Sequence, residues 1–206
     1  MIKQLSWRLS MLASVLAVGA GSAAADTRST TLTGSHVFNS LSVPAGATCT
    51  INSGSVDVTG NVTVGTGATL IVSSPANFTV NSSLLSVNAA NVDIVIFPAG
   101  SGAANILGSV SLTGTTGTLT IQNSFIGGTV SVANSNAHLI DLFSNNVGAN
   151  VLVQNNKTNG GVNSDIIQAN TIGGSLVCSG NTPPPVLAGG AANVVGGAKT
   201  GQCSGL

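Results

Sequence analysis

Glutamate and tyrosine are absent from this chain, and its one tryptophan, Trp7, lies near the N-terminus. Charge is scarce as well, with 5 Lys and Arg against 5 acidic residues, all Asp, in 206 positions. So few basic groups leave no electrostatic footprint for nucleic acid or for an anionic membrane surface. Five Phe without Tyr also weaken carbohydrate recognition by aromatic stacking. Beyond Ala25 no run is long and apolar enough to span a bilayer, and none carries a helical period. Disorder is excluded by the opposite signature: 43% hydrophobic residues and a formal net charge of zero.

Residues 1–25 read as an export signal. Lys3 and Arg8 form a positive start, Leu9 to Ala20 an apolar run, and Ala23-Ala24-Ala25 before Asp26 a small-residue cleavage pattern. The run is shorter than the ~20 residues that cross a membrane, so cleavage is expected over anchoring. No Cys adjoins the cleavage point, which removes a lipid anchor. The chain is expected in the periplasm or outside the cell, with no membrane attachment once the signal is removed. Arg28, Lys157 and Lys199 then face Asp26, Asp57, Asp93, Asp141 and Asp165, a formal net charge of −2.

One short phrase recurs through the remainder: an apolar residue, three small or polar ones, then an apolar-x-apolar strand. It is plainest at Ile126-Gly-Gly-Thr-Val130-Ser-Val132, Val147-Gly-Ala-Asn-Val151-Leu-Val153 and Ile172-Gly-Gly-Ser-Leu176-Val-Cys178. Further copies start at Val37, Val58 and Ile106, a weaker one at Val80 with Leu84 or Leu85 in register, and a degraded one at Val195. Successive starts lie roughly 20 to 26 residues apart, a period that signals a stacked solenoid. Between copies stands a second alternating pair: Cys49 and Ile51, Leu70 and Val72, Val92 and Ile94, Leu119 and Ile121, then Leu139 or Ile140, then Ile166. Alternation at period two with β-branched residues and intervening Gly, Asn and Ser means short strands and tight turns. Each strand pairs in parallel with its counterpart one coil on, the rest of the coil supplying the crossover that parallel strands need. The expected fold is all-β, a parallel β-helix of about seven coils, ~35 Å long. Residues 26–181 form the solenoid and residues 182–206 a C-terminal capping tail. Val62, Val110, Val130, Val151 and Leu176 stack as one inward column, and Val64, Leu112, Val132, Val153 and Cys178 as its neighbour. A charge in such a column would lack a partner and shift its pKa toward neutrality.

The turns repeat too. Ser124, Asn145, Asn170 and Asn193 stand two residues before the phrase, and their spacing resembles the asparagine ladder of parallel β-helix proteins. Gly127, Gly173 and Gly196 follow the apolar residue, where positive φ is expected. Cys178 and Cys203 lie about one coil apart, and an exported chain meets an oxidising compartment, so they are expected to be bonded. Cys49 is expected to point inward. The outward position of the phrase strand is Ser42, Thr63, Ser111 and Ser131 early on but Leu152 and Val177 later, which asks for a cover from the tail or a partner.

The whole resembles the right-handed parallel β-helix, or pectin-lyase-like, group. Over about its C-terminal third it is closer still to small exported bacterial β-helix proteins that end in a Gly-Gly-x-Leu-x-Cys-x-Gly-Asn-x-Pro segment, here Gly173 to Pro183. Enzymes of the wider group use clustered acids and a basic residue. Here the basic residues are scattered, and the candidate acids are Asp93, Asp141 and Asp165, in or beside the second strand of three coils. Paired carboxylates ~5 to 10 Å apart hydrolyse glycosidic bonds, but Asp93 and Asp141 are two coils apart with no acid between them. His36 and His138 are about five coils apart and cannot share a metal, and no calcium-binding repeat occurs. No cofactor is expected. The reading is a non-catalytic exported solenoid, structural or binding an extracellular glycan or protein. A polysaccharide lyase or glycosidase is the alternative, and an ice-binding protein a further one, which would need a regular Thr row.

Overall fold

The computed structural model describes residues 26–97 and 102–206; the export signal read over residues 1–25 lies outside the described residues. Described residues form no helix, and parallel strands stack as a β-solenoid of about eight coils. Each coil visits three sheets in turn. The first sheet holds nine strands: Asp26–Thr27, Leu41–Val43, Val62–Val64, Leu84–Val87, Val110–Thr113, Val130–Ala133, Val151–Gln154, Leu176–Ser179 and Lys199–Gly201. The second holds seven, from Thr31–Leu32 through Thr48–Ile51, Thr69–Ser73, Asn91–Val95, Thr118–Gln122 and Leu139–Phe143 to Asp165–Gln168. The third holds eight, running from Ser35–Phe38 to Val194–Val195.

Register follows the phrase. Leu41, Val62, Leu84, Val110, Val130, Val151, Leu176 and Lys199 are successive partners in the first sheet. The weaker copy settles with Leu84 inward and Leu85 outward. One coil more than the repeat count suggests comes from residues 26–40, where Asp26 pairs with Leu41 in a winding too short to show the phrase. The aliphatic side chains of each inward column are almost wholly removed from solvent, each worth ~1.5–3 kcal/mol of burial.

Two expectations need correction. Gly127, Gly173 and Gly196 do not adopt positive φ. That conformation falls to Asn88, Asn123, Asn134, Ser144, Asn155 and Ala169 and to other glycines, at the corners between sheets. The phrase glycines are required by close stacking instead: a Cβ on Gly173 would stand 2.5 Å from Gly148 O, and one on Gly196 2.5 Å from Gly173 O. In the second sheet, Ile140 pairs with Asp165, and Leu142 with Ile167. The inward pair of that coil is therefore Asp165 and Ile167, and Ile166 faces outward.

From residue 182 onward the chain adds to the stack. Val194–Val195 pairs with Thr171–Ile172, and Lys199–Gly201 with Leu176–Cys178. Cys178 and Cys203 are joined by a disulfide with Cα atoms 5.2 Å apart, and Cys203 and Leu206 are buried beneath the last turn. Thr200 continues the outward row after Leu152 and Val177, both half-buried.

Candidate functional site

Polar side chains gather in the corners and on the outer face of the second sheet. In the corner after that sheet, backbone N–H groups of Ser124, Asn145 and Asn170 donate to the Oδ1 of Asn145, Asn170 and Asn193, at 2.9 to 3.0 Å. Each amide Nδ2 donates to a strand carbonyl of the preceding coil: Asn145 to Ile121, Asn170 to Leu142, Asn193 to Ile167. These residues are buried, 2–4% exposed, so each lone pair and N–H must find a partner inside the protein. The ladder supplies it.

A second ladder, in the corner after the first sheet, escaped the sequence reading. Thr115, Ser135 and Asn156 donate their N–H groups to Ser135 Oγ, Asn156 Oδ1 and Asn181 Oδ1. Gln202 ends the row: its Oε1 accepts from Asn181 N–H and Nδ2, and its Nε2 donates to Asn181 O at 2.9 Å. The signal was present, since Ser135, Asn156 and Asn181 repeat at the intervals of the phrase strands, but Thr115 and Gln202 disguise its ends. A third row turns the corner before the first sheet. There Ser109 N–H donates to Ser83 Oγ, Thr129 N–H to Ser109 Oγ, and Ala198 N–H to Ser175 Oγ.

The three candidate acids separate. Asp93, Thr120, Asp141 and Ile166 are successive outward partners in the second sheet. Asp93 and Asp141 thus share a row two coils apart, about 9–10 Å between backbones. Both lean toward the coil between them. Asp93 Oδ2 accepts from Thr118 Oγ1 at 2.7 Å, and Asp141 Oδ2 from Gln122 Nε2 at 2.7 Å. Thr118 is held in turn by Asn91, which also donates to Thr69, so the row is braced from coil to coil. The remaining oxygen of each acid, Oδ1, is shielded from solvent and has no hydrogen-bond donor. Burial raises the pKa of Asp141 above its ordinary value, and the Gln122 bond partly offsets the rise.

Asp165 points the other way. It follows Ile140 in an inward aliphatic column, is 1% exposed, and neither carboxylate oxygen has a hydrogen-bond partner. Loss of hydration alone pushes its pKa up to about 7, the response expected of a lone acid in an apolar interior. Asp165 therefore cannot join the other two at one surface.

On the outer face of the first sheet lies an open groove of about 350 Å³, between Ser42, Thr63 and Leu85 and the turns at Pro44 and Gly65. No titratable side chain lines it. Among the described residues, no three His, Cys, Asp or Glu side chains converge as a metal site would require. His36 stacks on Phe38 with ring centres 5.8 Å apart, and His138 Nδ1 lies 3.1 Å from Asn159 Oδ1. Free Cys49 is buried, and burial pushes its thiol pKa up, with Arg28 acting in the opposite sense.

The chain matches no known family model, and no curated protein or solved structure shows significant similarity to it. No helix of the described residues is long and apolar enough to cross a membrane, and the disulfide is compatible with export.

Proposed function

We propose that the protein is a non-catalytic exported β-solenoid, a structural or surface-interaction module whose uncharged faces contact an extracellular glycan or protein. The observation that carries this reading is the dispersal of its acids: Asp165 faces the core, while Asp93 and Asp141 are separately tied to Thr118 and Gln122. A glycosidase needs one acid positioned to protonate the leaving oxygen and a second free to act as nucleophile or base. Here the free oxygens are sealed from solvent, and the groove on the first sheet holds only hydroxyl, backbone and aliphatic groups. Outward rows mix Ser, Thr, Leu and Val, as in Ser42, Thr63, Leu85, Ser111, Ser131, Leu152 and Val177. That is not the regular Thr lattice of an ice-binding face.

The test is incubation of purified protein with polygalacturonate, alginate and glycosaminoglycan, scored for reducing ends and for unsaturated products. No product is expected, together with retention on at least one immobilised glycan or extracellular matrix protein. Turnover that disappears in Asp141→Ala would replace this reading with a polysaccharide-cleaving enzyme.

A further inference from the structure

Asn159-Gly160 is the one Asn-Gly pair of the chain. It opens the exposed loop 159–163, which lengthens the coil between Val151 and Leu176 relative to the one before it. The loop is held on both sides of the pair. Asn159 N–H donates to Ala137 O at 3.0 Å, and Ser164 Oγ lies 2.6 Å from both Gly161 O and Thr158 Oγ1. Gly160 is fitted against the His138 carbonyl, with room for no side chain. Its own N–H donates to no acceptor among the described residues. Across the coil boundary, His138 Nδ1 sits 3.1 Å from Asn159 Oδ1.

We propose that Asn159 is a self-modifying site, converted to aspartate and isoaspartate through a succinimide, with His138 as the electrophilic assistant. The Gly160 amide nitrogen attacks Asn159 Cγ, forming an N–C bond as the carbonyl electron pair moves onto Oδ1. In the tautomer that carries hydrogen on Nδ1, His138 donates to that oxygen as its charge develops, the geometry that stabilises an oxyanion. Collapse of the tetrahedral centre breaks the Cγ–Nδ2 bond. Nδ2 leaves as ammonia carrying the proton lost by Gly160, and water then opens the ring at either carbonyl. The net change is addition of one water and loss of one ammonia, with no oxidant or reductant.

Asparagines at the ladder corners are withheld from this chemistry. At Asn123-Ser124 and Asn134-Ser135 the following amide is engaged, Ser124 N–H with Asn145 Oδ1 and Ser135 N–H with Asn156 Oδ1. Asn145, Asn156, Asn170, Asn181 and Asn193 are buried. The attacking nitrogen is thus free, and the carboxamide polarised, at the exposed corner beside His138. The product places a carboxylate against His138 in a loop exposed over residues 159–163.

The experiment ages the folded, disulfide-bonded chain at neutral pH and 37 °C and maps every asparagine by mass spectrometry with isoaspartate-specific fragmentation. Residue 159 is expected to convert ahead of every other asparagine. His138→Phe, which removes the donor, should slow it about tenfold, the worth of one exposed hydrogen bond in the barrier, while His138→Gln, which keeps one, holds the rate near that of the parent. Folding of both variants is checked by circular dichroism. Persistence of intact Asn159 while other asparagines convert, or equal rates in the parent and His138→Phe, overturns the proposal. Equal slowing in both variants does so too, because it would assign His138 a role other than donation.

Discussion

Replacing Asp165 with asparagine should change how stability depends on pH while leaving the fold in place. The native carboxyl lies in an aliphatic column, with Ile140 on the preceding coil and no donor for either oxygen. Its pKa in the folded chain is about 7 against 3.8 for an ordinary side chain. Between those values the unfolded chain has released the proton and the folded chain still holds it. Folding there takes up a proton, so stability falls as pH rises. The stabilisation of the neutral acid is complete below pH 3.8, declines through the window, and is gone above about 7. At about 1.4 kcal/mol per pH unit, the gap is worth about 4 kcal/mol, a large share of the 5–15 kcal/mol that typically holds a domain together.

Urea unfolding followed by far-ultraviolet circular dichroism, from pH 4 to 8.5 with the disulfide intact, reads this directly. The difference between the parent and Asp165→Asn isolates one group from the other carboxylates. The variant is expected to overtake the parent in stability as pH rises from 4 toward 7. Asp165→Val, which restores the aliphatic column, should exceed both at pH 8. If the difference curve stays flat within about 0.5 kcal/mol across the range, Asp165 is not the lone buried acid described here.

The stack and its cysteines set four more outcomes. Asn170→Ala removes the acceptor for Asn145 N–H and the donor to Leu142 O, and each buried group so orphaned costs about 1–3 kcal/mol; the urea midpoint should drop accordingly. Gly173→Ala drives a Cβ to 2.5 Å from Gly148 O, whereas Gly205→Ala meets nothing within 4 Å, so the first should lower the melting temperature and the second leave it unchanged. Cys203→Ser opens the Cys178 bond and should cost about 3 kcal/mol for a loop of that length. In the parent, alkylation without reductant should label nothing in native protein and Cys49 alone after unfolding, since that thiol is buried and its pKa raised.

The periodic apolar residues carried most of the architecture. Val62, Val110, Val130 and Val151 stand in one column because the coil length is written in their spacing. Corners were harder to read. At the Asn145 corner three identical side chains in succession announce the ladder, but in the other row Ser135, Asn156, Asn181 and Gln202 perform one task with three side-chain types. Glycine misled for a related reason. Positive φ and crowding both select it, and only the distance to the next coil shows that Gly173 answers to crowding. Asp165 was misplaced because an alternating pattern is searched for apolar residues, so an acid in the inward slot shifts the apparent register to Ile166.

The direction of the hydrogen-bonded rows explains how the stack closes at its far end. In both asparagine ladders each N–H reaches toward the next coil for its acceptor, so the last corner needs a side-chain oxygen beyond it. Asn193 provides one, and Gln202 the other. In the Ser83, Ser109 and Ser175 row the N–H reaches back toward the preceding coil, so Ala198 can end it without a polar side chain. The inward corner after the first sheet also changes along the stack, from Ala68 and Ala89 to Thr115, Ser135, Asn156 and Asn181, all buried. Where the corner is alanine, the coils are joined there by backbone bonds, and the groove at Ser42, Thr63 and Leu85 opens beside them. Where it is an amide, side chains brace each coil against the next.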